Sequence, residues 1–324
     1  MKLIPRILLA SCAAAIAFPC TLMAQDQYPS KTIHFISPAP PGGLSDTIPR
    51  VLSLELERLM KTTVVVENKP GAGGTIATSF VAKAPADGYN LLLGTGGMMT
   101  VNPYTYANLP FDTAKDFAAI ALVAYTPLYL AVRGDSPYKT VADLVAAAKA
   151  KSGELAYGTI GPGSTASIAS GLLVRAKDLK MIDVPFSGYG PAMTELLGGR
   201  LAFTMLDGGA LSQFQSGSLR ALAVTTAERA AALPDVPTLK ETGIDLDIAV
   251  WFGVYARAGL PPKTSETLRL AVKEAMGQPS FRKTLAPFGL EPGKLFGDDF
   301  QKFTLAELAR YKTALPALGV QPAK

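Results

Sequence analysis

The order of hydrophobic patterns along the chain is the feature that most constrains its fold. From Tyr28 onward, short β-rich runs alternate with stretches in which apolar residues recur at helical spacing. Val64–Val66 is a continuous apolar run, typical of a strand covered on both faces, whereas Ile48–Met60 carries its apolar residues at the spacing of a helix. Strands that alternate with helices predict an α/β fold of parallel sheets and crossover helices.

The same patterns predict the position of each element. Predicted strands are Thr32–Ile36, Val64–Val66, Asn90–Gly94, Leu128–Val132, Leu155–Thr159, Met181–Val184, Leu201–Leu206, Leu219–Val224 and Ile248–Tyr255. After the first helix, further helices are predicted at Val141–Lys151, Thr165–Ala176, Ala192–Leu197, Thr264–Met276 and Asp298–Leu315. The middle block carries enough strand–helix units to close its own sheet, whereas the mostly helical last block must pack back onto the first.

This arrangement predicts two lobes joined by a hinge. We expect residues 25–124 and 250–324 to form a discontinuous lobe 1 and residues 125–249 to form lobe 2. The chain then crosses between the lobes near residues 124–127 and 248–251, and a ligand cleft lies between them.

The first 24 residues have the form of a secretory signal peptide. Lys2 and Arg6 precede the apolar stretch Ile7–Phe18, and Ala24 supplies the small residue before a cleavage site. We expect cleavage after Ala24 and an exported mature protein. A lipid-modified Cys12 is the alternative, although the apolar segment before it is short for an export signal.

Composition excludes several classes of protein. Both cysteines, Cys12 and Cys20, lie in the predicted leader, so the mature chain has no disulfide and no thiolate chemistry. Hydrophobic residues make up 48% of the chain, which excludes disorder. Basic residues never run beyond two in a row, so no nucleic-acid partner is expected. The glycine pattern at Gly161–Ala166 matches a loose dinucleotide fingerprint, but we expect no cofactor.

Three glycine-bearing loops follow predicted strands and open predicted helices: Ser37–Asp46, Gly161–Thr165 and Ser187–Ala192. Helix N-termini present unpaired amides and the positive end of a dipole, and loops at the carboxyl ends of parallel strands bind ligands in α/β folds. The three loops therefore predict a site for a small carboxylate. Ordinary strand-to-helix connections are the alternative interpretation of each loop.

Candidates for catalysis are few. His34 is the only histidine and lies within a predicted strand, and the sequence has neither a Gly-x-Ser-x-Gly elbow nor an HExxH motif. Asp207 follows a predicted strand and is placed to face the cleft, in a structural or a ligand-binding role. We predict no enzyme activity. A secreted α/β hydrolase using Ser164 or Asp207 is the alternative from a different functional class.

Several ordered motifs resemble one known family. They are Tyr28–Ile33, Pro40–Gly43 with Asp46, Val65–Gly74, Ala82–Tyr89, Leu219–Thr225 and Leu233–Thr238. From Tyr28 to about Val320 the chain is similar to Bug-type receptors, the extracytoplasmic solute-binding subunits of tripartite tricarboxylate transporters.

The resemblance implies a two-lobed periplasmic binding protein of the Venus-flytrap, type II-like architecture, each lobe a mainly parallel sheet flanked by helices. Such a receptor takes a small mono-, di- or tricarboxylate and delivers it to membrane permease subunits, or serves as the ligand-binding input of a sensor. We expect a monomer without metal or cofactor. The predicted ligand-binding residues are Ala39, Pro41, Gly42, Gly43, Asp46, Thr95, Gly163, Ser164, Thr165, Gly188, Tyr189, Ala192 and Asp207.

The chain departs from the family pattern near the cleft. Phe186-Ser187-Gly188 stands where a Tyr-Lys-Gly stretch is frequent, and Ser167-Ile168 stands where a His-Leu pair is common. Ser37-Pro38-Ala39-Pro40-Pro41 stands where a Pro-Phe-Pro-Pro run is usual. A lysine and an aromatic wall are thus missing, so we expect a less basic and roomier pocket than that of a tricarboxylate binder.

The mature protein is predicted to begin at Gln25. Intact mass spectrometry of protein isolated from the periplasm should give the mass of residues 25–324. A lipid-modified mass beginning at Cys12 would contradict this prediction.

Overall fold

The strands form two separate sheets in a computed structural model that describes residues 28–42, 44–160, 164–186 and 188–320. The predicted signal peptide and the predicted site residues Gly43 and Gly163 lie outside the described residues. The strands, in chain order, are β1 Ile33–Ser37, β2 Val64–Asn68, β3 Asn90–Thr95, β4 Phe117–Pro127, β5 Tyr129–Arg133, β6 Ala156–Ile160, β7 Ile182–Phe186, β8 Phe203–Leu206, β9 Leu219–Val224, β10 Ala249–Arg257 and β11 Glu291–Pro292.

Helices cover both faces of the sheets. They are α1 Leu44–Met60, α2 Thr75–Ala82, α3 Asn102–Thr105, α4 Thr113–Asp116, α5 Val141–Ala150, α6 Thr165–Ala176, α7 Tyr189–Leu197, α8 Leu211–Gln215, α9 Pro262–Gly277, α10 Pro279–Leu285 and α11 Asp298–Ala317. Three 3₁₀ turns, Ala72–Gly74, Gly208–Ala210 and Ala286–Phe288, and a π-helical turn, Gly97–Val101, complete the described regular structure.

Both sheets mix parallel and antiparallel pairs. The first has the order β11-β4-β10-β3-β1-β2, with β1 parallel to β2 and β3 and with β10 antiparallel to β3 and β4. The second has the order β7-β6-β8-β5-β9, with β6 parallel to β7 and β8 and with β5 antiparallel to β8 and β9. The two-lobed α/β fold is confirmed. Parallel pairing is less extensive than predicted, because β10 runs antiparallel to β3 and β4 and β5 runs antiparallel to β8 and β9.

Alternate residues of β10 separate the two hydrophobic layers of the first sheet. Phe252 and Val254 pack with α1 and α9 on one face, whereas Trp251 and Tyr255 pack with α2 and α11 on the other. Tyr255 also shares a 2.7 Å hydrogen bond with Thr304 of α11. The sheet is therefore buried on both faces, as the continuous apolar strands predict.

Helix α11 contributes to the cores of both sheets. Phe300, near its start, lies in the cluster around Trp251, whereas Tyr311 and Leu315, near its end, lie in the cluster of the second sheet. The Arg310 guanidinium donates to the backbone carbonyl of Asp247. The lobe boundaries themselves stay a prediction, and the last helix contacts both parts of the fold.

The glycine-rich segment after β2 forms a tight strand-to-helix turn. Gly71, Ala72, Gly73 and Gly74 have consecutive positive φ angles of 124°, 47°, 60° and 88°. At Gly74 a Cβ atom would also lie 2.5 Å from the sulfur of Met98. Glycine is required there by both the backbone conformation and the close approach of Met98.

Thr225 joins the two crossovers between the sheets. The first crossover runs from β4 through Leu128 into β5, and the second ends at Ile248, next to β10. The Thr225 hydroxyl accepts from the amide of Leu128 at 3.0 Å and donates to the carbonyl of Ile248 at 2.6 Å. Its backbone amide donates to Leu128 at 3.0 Å, and its carbonyl accepts from Ile248 at 2.9 Å. Thr225 is fully buried, so these four bonds are shielded from water.

Replacing Thr225 with valine keeps the side-chain shape but leaves the Leu128 amide without its hydrogen-bond acceptor. We expect the Thr225→Val variant to lose about 1–3 kcal/mol of unfolding free energy, the usual effect of an unsatisfied buried donor. Urea denaturation measures this loss. The Thr225→Ser variant retains the hydroxyl and should lose less. Equal stability of the valine variant and the wild type would contradict the role assigned to the hydroxyl.

Candidate functional site

Strand pairing places the predicted site residues at two sheet edges beside the crossovers. Thr95 ends β3 opposite Phe252, close to where β10 enters from the second sheet. In the second sheet, Leu206 pairs with Tyr129 at the start of β5, so Asp207 also lies beside the crossover. The ends of β1, β6 and β7 lie along the same two edges, because each is parallel to a neighbouring strand. The loops that follow these strands therefore lie at the edges of the two sheets that border the crossovers.

Asp46 is bound within the first of these loops. Its buried carboxylate accepts from the Gly42 amide at 3.0 Å, Arg50 Nε at 2.9 Å and Asn68 Nδ2 at 2.7 Å. The hydrogen bond from Arg50, aided by those from Asn68 and Gly42, lowers the pKa of Asp46 to about 2. The carboxylate thus shapes the loop from inside, while Pro41 and Gly42 are exposed.

Asn68, the last residue of β2, holds this loop in place but is not among the predicted site residues. Its side-chain amide donates to the Ala39 carbonyl at 2.8 Å as well as to Asp46, and its oxygen accepts from Arg50 at 3.1 Å. Asn68 thereby joins the end of β2 to both ends of the loop. The sequence signals for this role are its place after the predicted strand Val64–Val66 and its position within the motif Val65–Gly74.

Helix α6 begins at the edge of the second sheet, with Ser164 as its N-cap and Thr165 as its first residue. The Ser164 hydroxyl caps the helix by accepting from the Ser167 amide at 3.1 Å, and it donates to the Ser167 hydroxyl at 2.9 Å. Thr165 is half-buried at the first helical position. His34 lies in the other sheet, where its Nδ1 is 2.5 Å from Glu67. A serine hydrolase requires a histidine hydrogen-bonded to its nucleophilic serine, and His34 does not make that contact with Ser164.

The loop before α7 presents open backbone. Gly188 is extended, with φ of 172°, and a Cβ atom built there would have no neighbour within 4 Å. Tyr189 is half-buried, and burial, reinforced by the charge of Asp207, raises the pKa of its phenol. Ala192, in the first turn of α7, is fully buried.

Asp207 and Thr95 lie nearest the crossovers. The Asp207 carboxylate accepts from the Gly209 amide at 3.0 Å, yet burial raises its pKa against the effect of this bond. The Thr95 hydroxyl accepts from the Met98 amide at 3.3 Å. Both side chains are half-buried. Each side chain therefore makes a local hydrogen bond to the backbone and also lies at the edge of its sheet.

Neither a metal cluster nor a membrane-spanning helix occurs in the described residues. In this part of the chain, no group of three or more His, Cys, Asp or Glu side chains is arranged to hold a metal ion. Over the same residues, every helix is too short or too polar to span a membrane.

Two α/β lobes linked by crossover strands, with helix-opening loops between them, define a solute-binding protein of the periplasmic type. The family model described as "Tripartite tricarboxylate transporter family receptor" matches residues 48–320, and the chain belongs to this family. Receptors of this family are periplasmic solute-binding proteins.

Individual relatives are similar over nearly their full length. Protein BugT of Bordetella pertussis is 32% identical over 311 residues, 95% of this chain and 94% of BugT. A solved TctC solute-binding protein from Polaromonas has a TM-score of 0.81 and 32% identity, covering 90% of this chain and 99% of that one.

Two solved structures from Rhodopseudomonas palustris contain carboxylates. Rpa4515 with adipate has a TM-score of 0.77 and 32% identity, covering 91% of this chain and 100% of that one. MatC with bound malate has a TM-score of 0.73 and 27% identity, covering 89% of this chain and 100% of that one.

Loss of the Asp46 charge should destabilise the protein in a pH-dependent way. The folded pKa of about 2 lies below the ordinary value of 3.8, so the ionised group stabilises the fold above about pH 4 and loses this effect as the pH falls toward 2. We expect Asp46→Asn to lower the unfolding free energy by about 1–3 kcal/mol at neutral pH, with a smaller difference at pH 2–3.

Urea denaturation of both proteins across this pH range tests the prediction. The exposed Asp245, changed to asparagine, provides the control for removal of a carboxylate. A difference for Asp46→Asn that stays constant from neutral pH down to pH 2 would contradict the assigned ionisation.

Proposed function

We propose that this receptor captures a small organic carboxylate between its lobes and delivers it to the membrane permease of a tripartite transporter. The observation that carries the proposal is that, in both sheets, helix-opening loops follow strand ends at the edge that borders the crossovers. Adipate and malate in the structures of Rpa4515 and MatC support a carboxylate as the ligand class.

In this proposal the ligand carboxylate binds backbone amides and hydroxyls at the starts of α1, α6 and α7. These helices contain 17, 12 and 9 residues, long enough for a positive N-terminal dipole end. Gly188 is central because its extended backbone has open space around it. The Asp46–Asn68 hydrogen bond helps to hold the first loop in shape without presenting a free negative charge to the ligand.

The proposed route of the protein follows from its leader and family. We propose that residues 1–24 direct export and are removed, and that the mature receptor works as a monomer in the periplasm. The permease partner is proposed from the family to which the chain belongs.

A thermal-shift screen with adipate, malate and citrate tests the ligand class. A compound that binds only the folded protein raises its melting temperature, and above its Kd the shift grows with the logarithm of its concentration. We expect at least one of the three to raise the midpoint in this concentration-dependent way. Failure of these and other mono-, di- and tricarboxylates to do so would contradict the proposal.

Aspartate at position 188 should abolish carboxylate binding with little effect on folding. The new side chain adds bulk and a like charge where the ligand is proposed to lie, so we expect at least a hundredfold loss of affinity, or roughly 3 kcal/mol. The extended φ and the open space at Gly188 remove the alternative that glycine is needed for a left-handed conformation.

Calorimetry with the best carboxylate of the screen measures this loss, and the melting temperature of the unliganded variant reports on folding. Gly277→Asp is the matched control, because Gly277 also lies in open space but at the end of α9. Wild-type affinity in Gly188→Asp would remove this loop from the site.

A further inference from the structure

A cavity lies where the crossovers join the two sheets. Its volume is about 270 Å³. Its lining residues are Leu122, Tyr125, Pro127, Thr226, Ala227, Glu228, Arg229, Ala230, Asp247, Ala249, Trp251, Glu291 and Phe303. None of them is among the predicted residues of the carboxylate site.

Three aromatic residues form much of its inner wall. The rings of Trp251 and Phe303 meet edge to face with centroids 5.5 Å apart, and Tyr125 lies opposite Trp251 in the β4–β10 pair. Trp251 is fixed in the core, with 1% of its surface exposed. Tyr125 and Phe303 are half-buried, so their rings are the aromatic surfaces open to the cavity, and such surfaces suit an apolar or cationic group rather than an anion.

The rim of the cavity is acidic in a chain whose net charge is +5. Glu228, Asp247 and Glu291 line it, whereas Arg229 is its only basic lining residue within the described chain. Arg229 is neutralised by Glu241, which accepts from its Nε at 3.1 Å and from its Nη2 at 3.0 Å. The net charge facing the cavity is therefore negative.

Hydrogen bonds show how these carboxylates are arranged. Glu291 accepts from the Tyr125 hydroxyl at 2.9 Å and from the Ala231 amide at 3.3 Å. Asp247 accepts from the Ala227 amide at 3.2 Å. Burial, followed by the contact with Glu291 and the charge of Glu228, raises the pKa of Tyr125 to about 12. The phenol therefore stays protonated in a negative field.

Aromatic walls beside uncompensated carboxylates favour one chemical class of ligand. The negative rim would repel a carboxylate or a phosphate, and a neutral hydrocarbon would make no favourable interaction with its charges. An ammonium ion with an apolar substituent suits both the rim and the aromatic wall, because its charge interacts with the carboxylates and with aromatic faces.

We propose that this cavity binds a small organic cation of the substituted-ammonium class, at a site distinct from the carboxylate cleft. The site takes residues from both sheets: Tyr125, Trp251 and Glu291 belong to the first, whereas residues 226–230 follow β9 of the second. The receptor therefore carries two sites of opposite charge preference.

Trp251 provides a direct measurement because it is the only tryptophan in the chain. Titration with benzyltrimethylammonium should change its fluorescence in a saturable manner, with a midpoint at millimolar or lower concentration. Benzyl alcohol, which has the ring without the charge, should bind more weakly. Absence of a saturable change at millimolar probe, or equal binding of the two compounds, would overturn the proposal.

Variants assign the binding to the cavity. Glu228 is exposed and its side chain makes no hydrogen bond in the described structure, so Glu228→Gln should preserve the fold and weaken cation binding about threefold. Glu274→Gln on α9 is the matched control and should leave binding unchanged. Equal midpoints for Glu228→Gln and the wild type would remove Glu228 from the site and overturn the proposal.

Gly188→Asp separates this inference from the proposed function. Cation binding in the cavity should keep its wild-type midpoint in that variant, whereas an ammonium ion bound in the cleft would bind more tightly beside the added carboxylate. A tighter midpoint would therefore place the cation in the cleft and overturn the inference. Carboxylate binding in the wild type remains the separate test of the proposed function.

Discussion

The hydrogen bonds of Thr225 are the interaction on which the rest of the structure depends. Two sheets with separate cores are connected here by two crossovers, and the hydroxyl and backbone of a single buried residue join those crossovers. Strands β4 and β5 lead to and from this junction, and β10 begins beside it. Their pairings place the ends of β3 and β8, and with them Thr95 and Asp207, next to the crossovers. The position of these candidate site residues therefore depends on strand pairing at the junction.

The loops divide their polar groups between structure and ligand. Asp46, Ser164 and Asp207 each make a local hydrogen bond that fixes a loop or caps a helix. Backbone amides near the helix starts are then the groups suited to an anion, in agreement with the absence of an arginine from the predicted site. Fixed donors need little reorganisation when a ligand binds.

Much of the fold could be predicted because its strands and helices have distinct periodicities. Leu219–Val224 and Thr165–Ala176 were predicted with the bounds that the structure has. Strand β4 was missed, since Phe117–Pro127 is a continuous apolar run rich in alanine that periodicity does not distinguish from a buried helix. Antiparallel entry of β10 could not be predicted from local patterns, because strand direction depends on the path of the whole chain.

The candidate site was predicted by loop position better than by side-chain role. Strand ends bring Thr95, Ser164, Gly188 and Asp207 to neighbouring sheet edges, as their positions after predicted strands indicate. Burial of Ala192 depends on packing inside the lobe, which the sequence does not reveal. The hydrogen bonds of Asn68 join segments 29 and 22 residues apart, beyond the reach of any local motif.

Helix α11 has a consequence for the order of folding. Its 20 residues are the last described helix of the chain, and they supply Phe300 to one core and Tyr311 and Leu315 to the other. Neither of these two cores is therefore complete until the C-terminal segment is available. The core between the first sheet, α1 and α9 contains no residue of α11 and can form earlier. During synthesis, the second sheet and the Trp251 face of the first sheet are therefore the parts of the fold that finish packing last.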